Sequence, residues 1–128
     1  MYKMHGWVVL HDVEEGDAAN VDLAAEVRTR WQAEAIENPL VRVDVVNACF
    51  TLSVLGQTNH FGPSNQAVYD LLRFVTKRAP ASYGALYVWD DEDTTGFSNS
   101  FQLWVIKRGQ MLRVPEPHLS PCIPEIED

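Results

Sequence analysis

Polar and apolar positions along the chain fall into blocks with two different periods. Trp7-Val8-Val9-Leu10 is an apolar run with few polar interruptions, which predicts a central β-strand. A polar, acidic loop is expected from Asp12 to Asp17. The period then becomes helical, because Leu23, Val27 and Trp31, with Ala24 and Ala35, fall on one stripe. Asn20 suits the N-cap of that helix, Asp22 places a carboxylate near its positive end, and Asn38-Pro39 stops it. Glu26 and Arg30, four apart, belong on or near its wet face.

Strand periodicity returns in Leu40 to Val46 and Cys49 to Leu55. Val41, Val43 and Val45 share one face, and Arg42 and Asp44 the other. Asn47-Ala48 reads as the hairpin turn, with Ala48 a poor second turn residue. Gly56 to Pro63 is expected to be a loop. A second helix is predicted from Ser64, burying Val68, Leu71, Leu72 and Val75 and ending at Ala79-Pro80. Tyr83 to Trp89 and Phe101 to Lys107 read as strands around an acidic loop, Asp90 to Asn99. Arg108-Gly109-Gln110 can turn the chain into a short further strand, Met111 to Val114. Prolines from Pro115 onward predict an extended tail. The order β-α-β-β-α-β-β, with that further strand, is α+β: two helices on one mainly antiparallel sheet. Residues 1–128 are expected to form a single domain.

Ten basic against eighteen acidic side chains give a net charge of −8. Nucleic-acid binding needs clustered Lys and Arg, so this balance argues against it. It permits a basic protein partner, whose encounter an acidic surface speeds, and it also serves solubility alone. Cys49 and Cys122 have neither zinc-site nor CxxC spacing and are expected to be buried, reduced thiols. Met1 to His11 lacks the pattern of a signal peptide, and no apolar stretch is long enough for a bilayer. A cytoplasmic protein without a membrane partner is expected.

Asp90-Asp91-Glu92-Asp93 is the densest charge cluster. Calcium loops usually separate their carboxylates, so four consecutive acids fit a metal poorly. Acid–base catalysis needs carboxylates converging in a cleft, which neighbours on a loop do not guarantee. A solvated charge run and a contact for a basic partner remain. His5, His11, His60 and His118 lie in separate segments and form no zinc motif. His60, beside Asn59, is the best placed for a polar site. No serine sits in a nucleophile elbow, and no phosphate loop appears. No catalytic residue, metal or cofactor is therefore expected. Trp7, Trp31, Tyr87 and Trp104 read as fold-supporting. Trp89 immediately precedes the acid cluster, where an aromatic can anchor an interface. The expected partner site is Trp89, Asp90, Asp91, Glu92 and Asp93.

Several stretches resemble the Immunity protein 7 family of bacterial polymorphic toxin systems. They are the opening Tyr2-Lys3-Met4-His5-Gly6-Trp7, the run from Ala79 to Asp93, the strand Phe101 to Gly109, and the ending Leu119 to Asp128. Gly56 to His60 fits the family's loop before the second helix. The similarity covers nearly the whole chain in order, weakest from Val13 to Asp44. Ala48 and Ala81 stand where glycine would be expected. The resemblance implies an α+β immunity protein that binds and neutralises a cognate toxin, nucleases being among the toxins such families meet. It implies no catalytic residues. The alternative left by the residues themselves is a small hydrolase or ligand-binding domain using His60 and Asp90 to Asp93. A structural adaptor is a third.

Overall fold

A computed structural model describes residues 1–12 and 17–122. Residues 13–16 of the expected acidic loop and the last six residues of the tail lie outside the described residues. The elements run β1 (Tyr2–Leu10), α1 (Asp17–Glu34), β2 (Leu40–Val46), β3 (Cys49–Thr58), α2 (Pro63–Arg78), β4 (Tyr83–Asp90), β5 (Gln102–Lys107) and β6 (Gln110–Pro115). The α+β class and the element order are as the sequence predicts, the sixth strand included.

One six-stranded sheet has the order β2-β3-β1-β4-β5-β6, with every neighbouring pair antiparallel. Helix α1 carries the chain from β1 over β3 to β2, and α2 carries it from β3 over β1 to β4. Each joins two parallel strands. The second crossover starts on a strand of opposite direction and steps the opposite way across the sheet. Two right-handed crossovers related in this manner put their helices on the same side. Among the described residues, the other side of the sheet receives no helix.

Side-chain parity follows from that asymmetry. Tyr2, Met4, Val8 and Leu10 of β1 point to the helices, as do Leu52 and Val54 of β3 and Leu86 and Val88 of β4. They meet Leu23 and Val27 of α1 and Val68, Leu72 and Val75 of α2 in one core. Each such side chain contributes about 1.5–3 kcal/mol when taken fully from water. Trp31 is buried on the α1 stripe as expected, and Trp104 packs edge-on against Tyr69 with centroids 5.7 Å apart.

Other expectations need correction. Trp7 is 47% exposed, because odd positions of β1 face the side without helices. Cys49 is exposed and Cys122 half-buried, although both are free thiols. Helix α1 starts at Asp17, and Asn20 lies inside it, its Oδ1 accepting the Asp12 N–H at 2.9 Å. Strand β1 begins five residues before Trp7, and β3 continues through Gly56 to Thr58. Gly56 is permitted there by close approach: a side chain at that position would collide with Pro39.

Two hairpins close on two-residue turns of the same kind. Asn47 and Ala48 have φ of 50° and 66°, and Arg108 and Gly109 have 51° and 73°. Positive φ at both positions matches the right-handed twist of the flanking strands. On the outer strand β2, the Val43 carbonyl accepts an Arg28 N–H from α1 at 2.8 Å.

Candidate functional site: an acidic loop at the rim of an uncovered sheet face

The start of β1 and the end of β4 lie side by side, with Tyr2 opposite Asp90 and Lys3 opposite Trp89. This brings the N-terminus, the β4–β5 loop and the β3–α2 loop to one end of the sheet. Trp89 lies on the uncovered face. Its indole N–H donates to the Ser98 carbonyl at 3.0 Å, and the Lys3 ammonium sits 4.8 Å from its ring centroid. Phe101 packs against it at 6.4 Å between centroids. A ring held on three sides has little orientational freedom left to lose.

The four acids are not equivalent. Asp91 accepts the Met1 ammonium at 2.7 Å, and that bond holds the ammonium pKa above its ordinary value. Glu92 Oε1 meets His60 Nδ1 and lies 3.7 Å from the same ammonium. Both side chains are exposed. Asp90 and Asp93 are half-buried and organise backbone. Asp90 accepts the Glu92 N–H at 3.0 Å. Asp93 accepts the N–H groups of Thr95 and Phe97 at 2.8 and 2.9 Å and the Thr95 hydroxyl at 2.9 and 3.0 Å. Desolvation acts upward on the Asp93 carboxyl, but the Phe97 and Thr95 donors outweigh it and hold its pKa below the usual range. Mutual repulsion in the cluster is therefore relieved within the molecule, by an ammonium, an imidazole and oriented N–H dipoles.

The segment after β6 buttresses the far end of this loop. Buried Glu116 accepts the N–H groups of His118 and Leu119 at 2.7 and 2.8 Å. Ser120 Oγ then accepts the Phe101 N–H at 3.0 Å, and the Cys122 N–H reaches the Asn99 carbonyl at 2.8 Å. Burial pushes the Cys122 thiol pKa up.

Below Trp89, the uncovered face forms a groove of about 610 Å³. Leu40, Leu55, Tyr87 and Phe101 line it, with Lys3 and Glu37 among its polar residues. A second hollow of about 430 Å³ shares His5, Tyr87 and Phe101 and continues toward Trp7 and Leu119. His5 stands opposite Leu55 on one side and Tyr87 on the other. Sequence reasoning singled out Trp89 and the acids but did not point to this face. The signal that could have found it is parity: Lys3, His5 and Trp7 alternate with Tyr2, Met4 and Val8, which the helices cover.

Of the residues singled out for chemistry, the fold brings His60 to Glu92. His5 lies on the sheet face, His11 at the far end of β1, and His118 beside Glu116. Among the described residues, no group of three or more His, Cys, Asp or Glu side chains is placed to hold a metal ion. None of the helices there is long and apolar enough to cross a membrane.

The sequence profile of the family described as Immunity protein 7 matches residues 1–128, the whole chain. The chain belongs to the Immunity protein 7 family. It is an immunity protein of toxin systems, and membership implies a cognate toxin as its partner. Comparison with curated proteins gave no match, and comparison with solved structures gave none.

Proposed function

We propose that this immunity protein neutralises its cognate toxin by direct stoichiometric binding in the cytoplasm, without turnover. The whole-chain family match carries the reading. We further propose that Trp89 and Asp90 to Asp93 take part in the contact and that the facing toxin surface is basic. Support comes from the net charge of −8 and from the exposure of Asp91 and Glu92 on a loop that is already ordered. An ordered loop loses little conformational freedom on binding, and unlike charges accelerate encounter. The same charge disfavours nucleic acid as a direct partner. A nuclease is one toxin class consistent with this, since enzymes that bind nucleic acid carry basic surfaces.

Co-expression with the toxin encoded next to this chain should rescue growth, and the purified pair should bind at one to one. Asp91→Asn with Glu92→Gln should slow association and flatten its salt dependence. The second reading, a small hydrolase or ligand-binding domain, draws on the contact of His60 with Glu92. Both side chains are well exposed, at 73% and 55%, whereas a catalytic pair gains from a site that excludes water. Substrate turnover abolished by His60→Ala, with no protection against the toxin, would establish that reading instead.

A further inference from the structure

We propose that the uncovered face of the six-stranded sheet is the docking surface for the cognate toxin. An apolar patch of the toxin fills the groove, and a basic patch meets the acidic loop at its rim. This inference rests on the proposed function and adds to it the surface that does the work. Trp7, Leu40, Leu55 and Tyr83 lie on this face and are each 47–55% exposed. With Tyr87 and Phe101 they form one apolar tract, because the two hollows share residues and Tyr83 packs edge-on against Trp7 with centroids 6.3 Å apart. Contiguous apolar surface of this kind marks an interaction site.

Size and charge select the occupant. Six strands at about 4.8 Å spacing and six or more residues at about 3.3 Å rise give a sheet face of roughly 600 Å² before side-chain relief. A stable protein interface takes about 800 Å² from each partner. The face with its rim loop therefore matches a folded protein surface rather than a small ligand. Charges on the face are largely engaged: Lys3 lies over Trp89, and Arg42 pairs with Asp44 at 3.1 Å. Lys107 stands at the end opposite the acidic loop. The negative charge at the groove is Glu37 in its lining and Asp90 to Asp93 at its rim. A second copy of this chain would bring a further −8 against that rim, whereas a basic toxin brings the complementary sign.

The test uses the intact chain and the toxin encoded beside it. Leu55→Lys and Leu40→Lys each place an ammonium on an exposed position of the face, and Lys77→Glu on α2 is the control. Biolayer interferometry should show at least 100-fold weaker binding for the first two, unchanged affinity for the control and wild-type melting for all three. In parallel, hydroxyl-radical oxidation of Trp7 and Tyr83 in the wild-type protein should fall at least fivefold when toxin is bound. This footprint decides the matter if a face variant fails to fold. Wild-type affinity in both folded face variants, or an unchanged footprint in the bound complex, overturns the docking surface while leaving the proposed function intact. A wild-type dimer in sedimentation that Leu55→Lys dissolves would assign the face to a second copy and overturn it too. Absence of any wild-type binding or protection would instead overturn the proposed function itself.

Discussion

Asp93→Ala separates the scaffold of the acidic loop from its outward charge. The substitution removes an acceptor of two backbone N–H groups and one hydroxyl. An N-cap acceptor of similar geometry is worth about 0.5–2 kcal/mol. Asp93 is charged and has several donors, which raises its share, but it is only half-buried, and water can satisfy part of what it leaves. A loss of about 1–2 kcal/mol follows. For a chain of this length that is a melting-temperature drop of about 4–8 °C. Asp93→Asn keeps a carbonyl acceptor and should lose less than half of that. Asp91→Asn, an exposed pair, should stay within about 2 °C of wild type. Differential scanning calorimetry at pH 7 and in acid provides the check. The folded Asp93 pKa lies below 3.8, so its stabilisation is complete above that value and lost as pH falls through the depressed one. The gap between wild type and Asp93→Ala should therefore narrow in acid toward the gap that Asp93→Asn keeps, the neighbouring Arg113 charge being constant throughout. Equal melting temperatures at pH 7, or a gap that widens as the pH falls, would refute a carboxylate-held loop.

Three further outcomes are expected. Ala48→Gly should stabilise by about 0.5–1 kcal/mol, because φ of 66° costs an L-residue more than glycine's extra unfolded freedom; an unchanged urea midpoint would contradict this. Leu86→Ala, fully buried on central strand β4, should cost about 2–5 kcal/mol, whereas Leu55→Ala on the uncovered face should cost under about 1.5 kcal/mol in the same titration. Iodoacetamide should label Cys49 in the folded protein well before Cys122, and unfolding should expose two thiols by mass; equal native rates would argue against the Cys122 environment described here.

Periodicity made most elements legible. The β2–β3 hairpin, α2 and the β4 and β5 strands are signalled by alternation or a helical stripe that packing then uses. Boundaries failed where a local cue and a tertiary partner disagreed. Gly56 looks like a loop residue, yet Pro39 fills the space a side chain would take and the strand runs on. Asn20 looks like a cap, yet it ties down Asp12 from within the helix. Trp7 was misplaced for a different reason. An aromatic in an apolar run reads as core, and only the placement of both helices on one face turns odd β1 positions outward. The acidic cluster was visible as charge, but its division into outward Asp91 and Glu92 and inward Asp90 and Asp93 depends on contacts as remote as Met1 and His60.

The Arg28 bond to Val43 bears on what happens when many copies of the protein accumulate. Among the described residues, the outer strands β2 and β6 each have one side that no strand pairs, the template on which a further chain can add and seed fibrillar stacking. On β2 one carbonyl of that template is already occupied by the guanidinium of the adjacent helix. Strand β6 ends in Pro115, which has no N–H to offer an incoming strand. Both features oppose strand addition at the sheet edges, which would suit a protein that, as proposed, meets its toxin one to one. Removing the guanidinium, as in Arg28→Ala, should leave the core intact and shorten the lag before thioflavin-positive aggregates form.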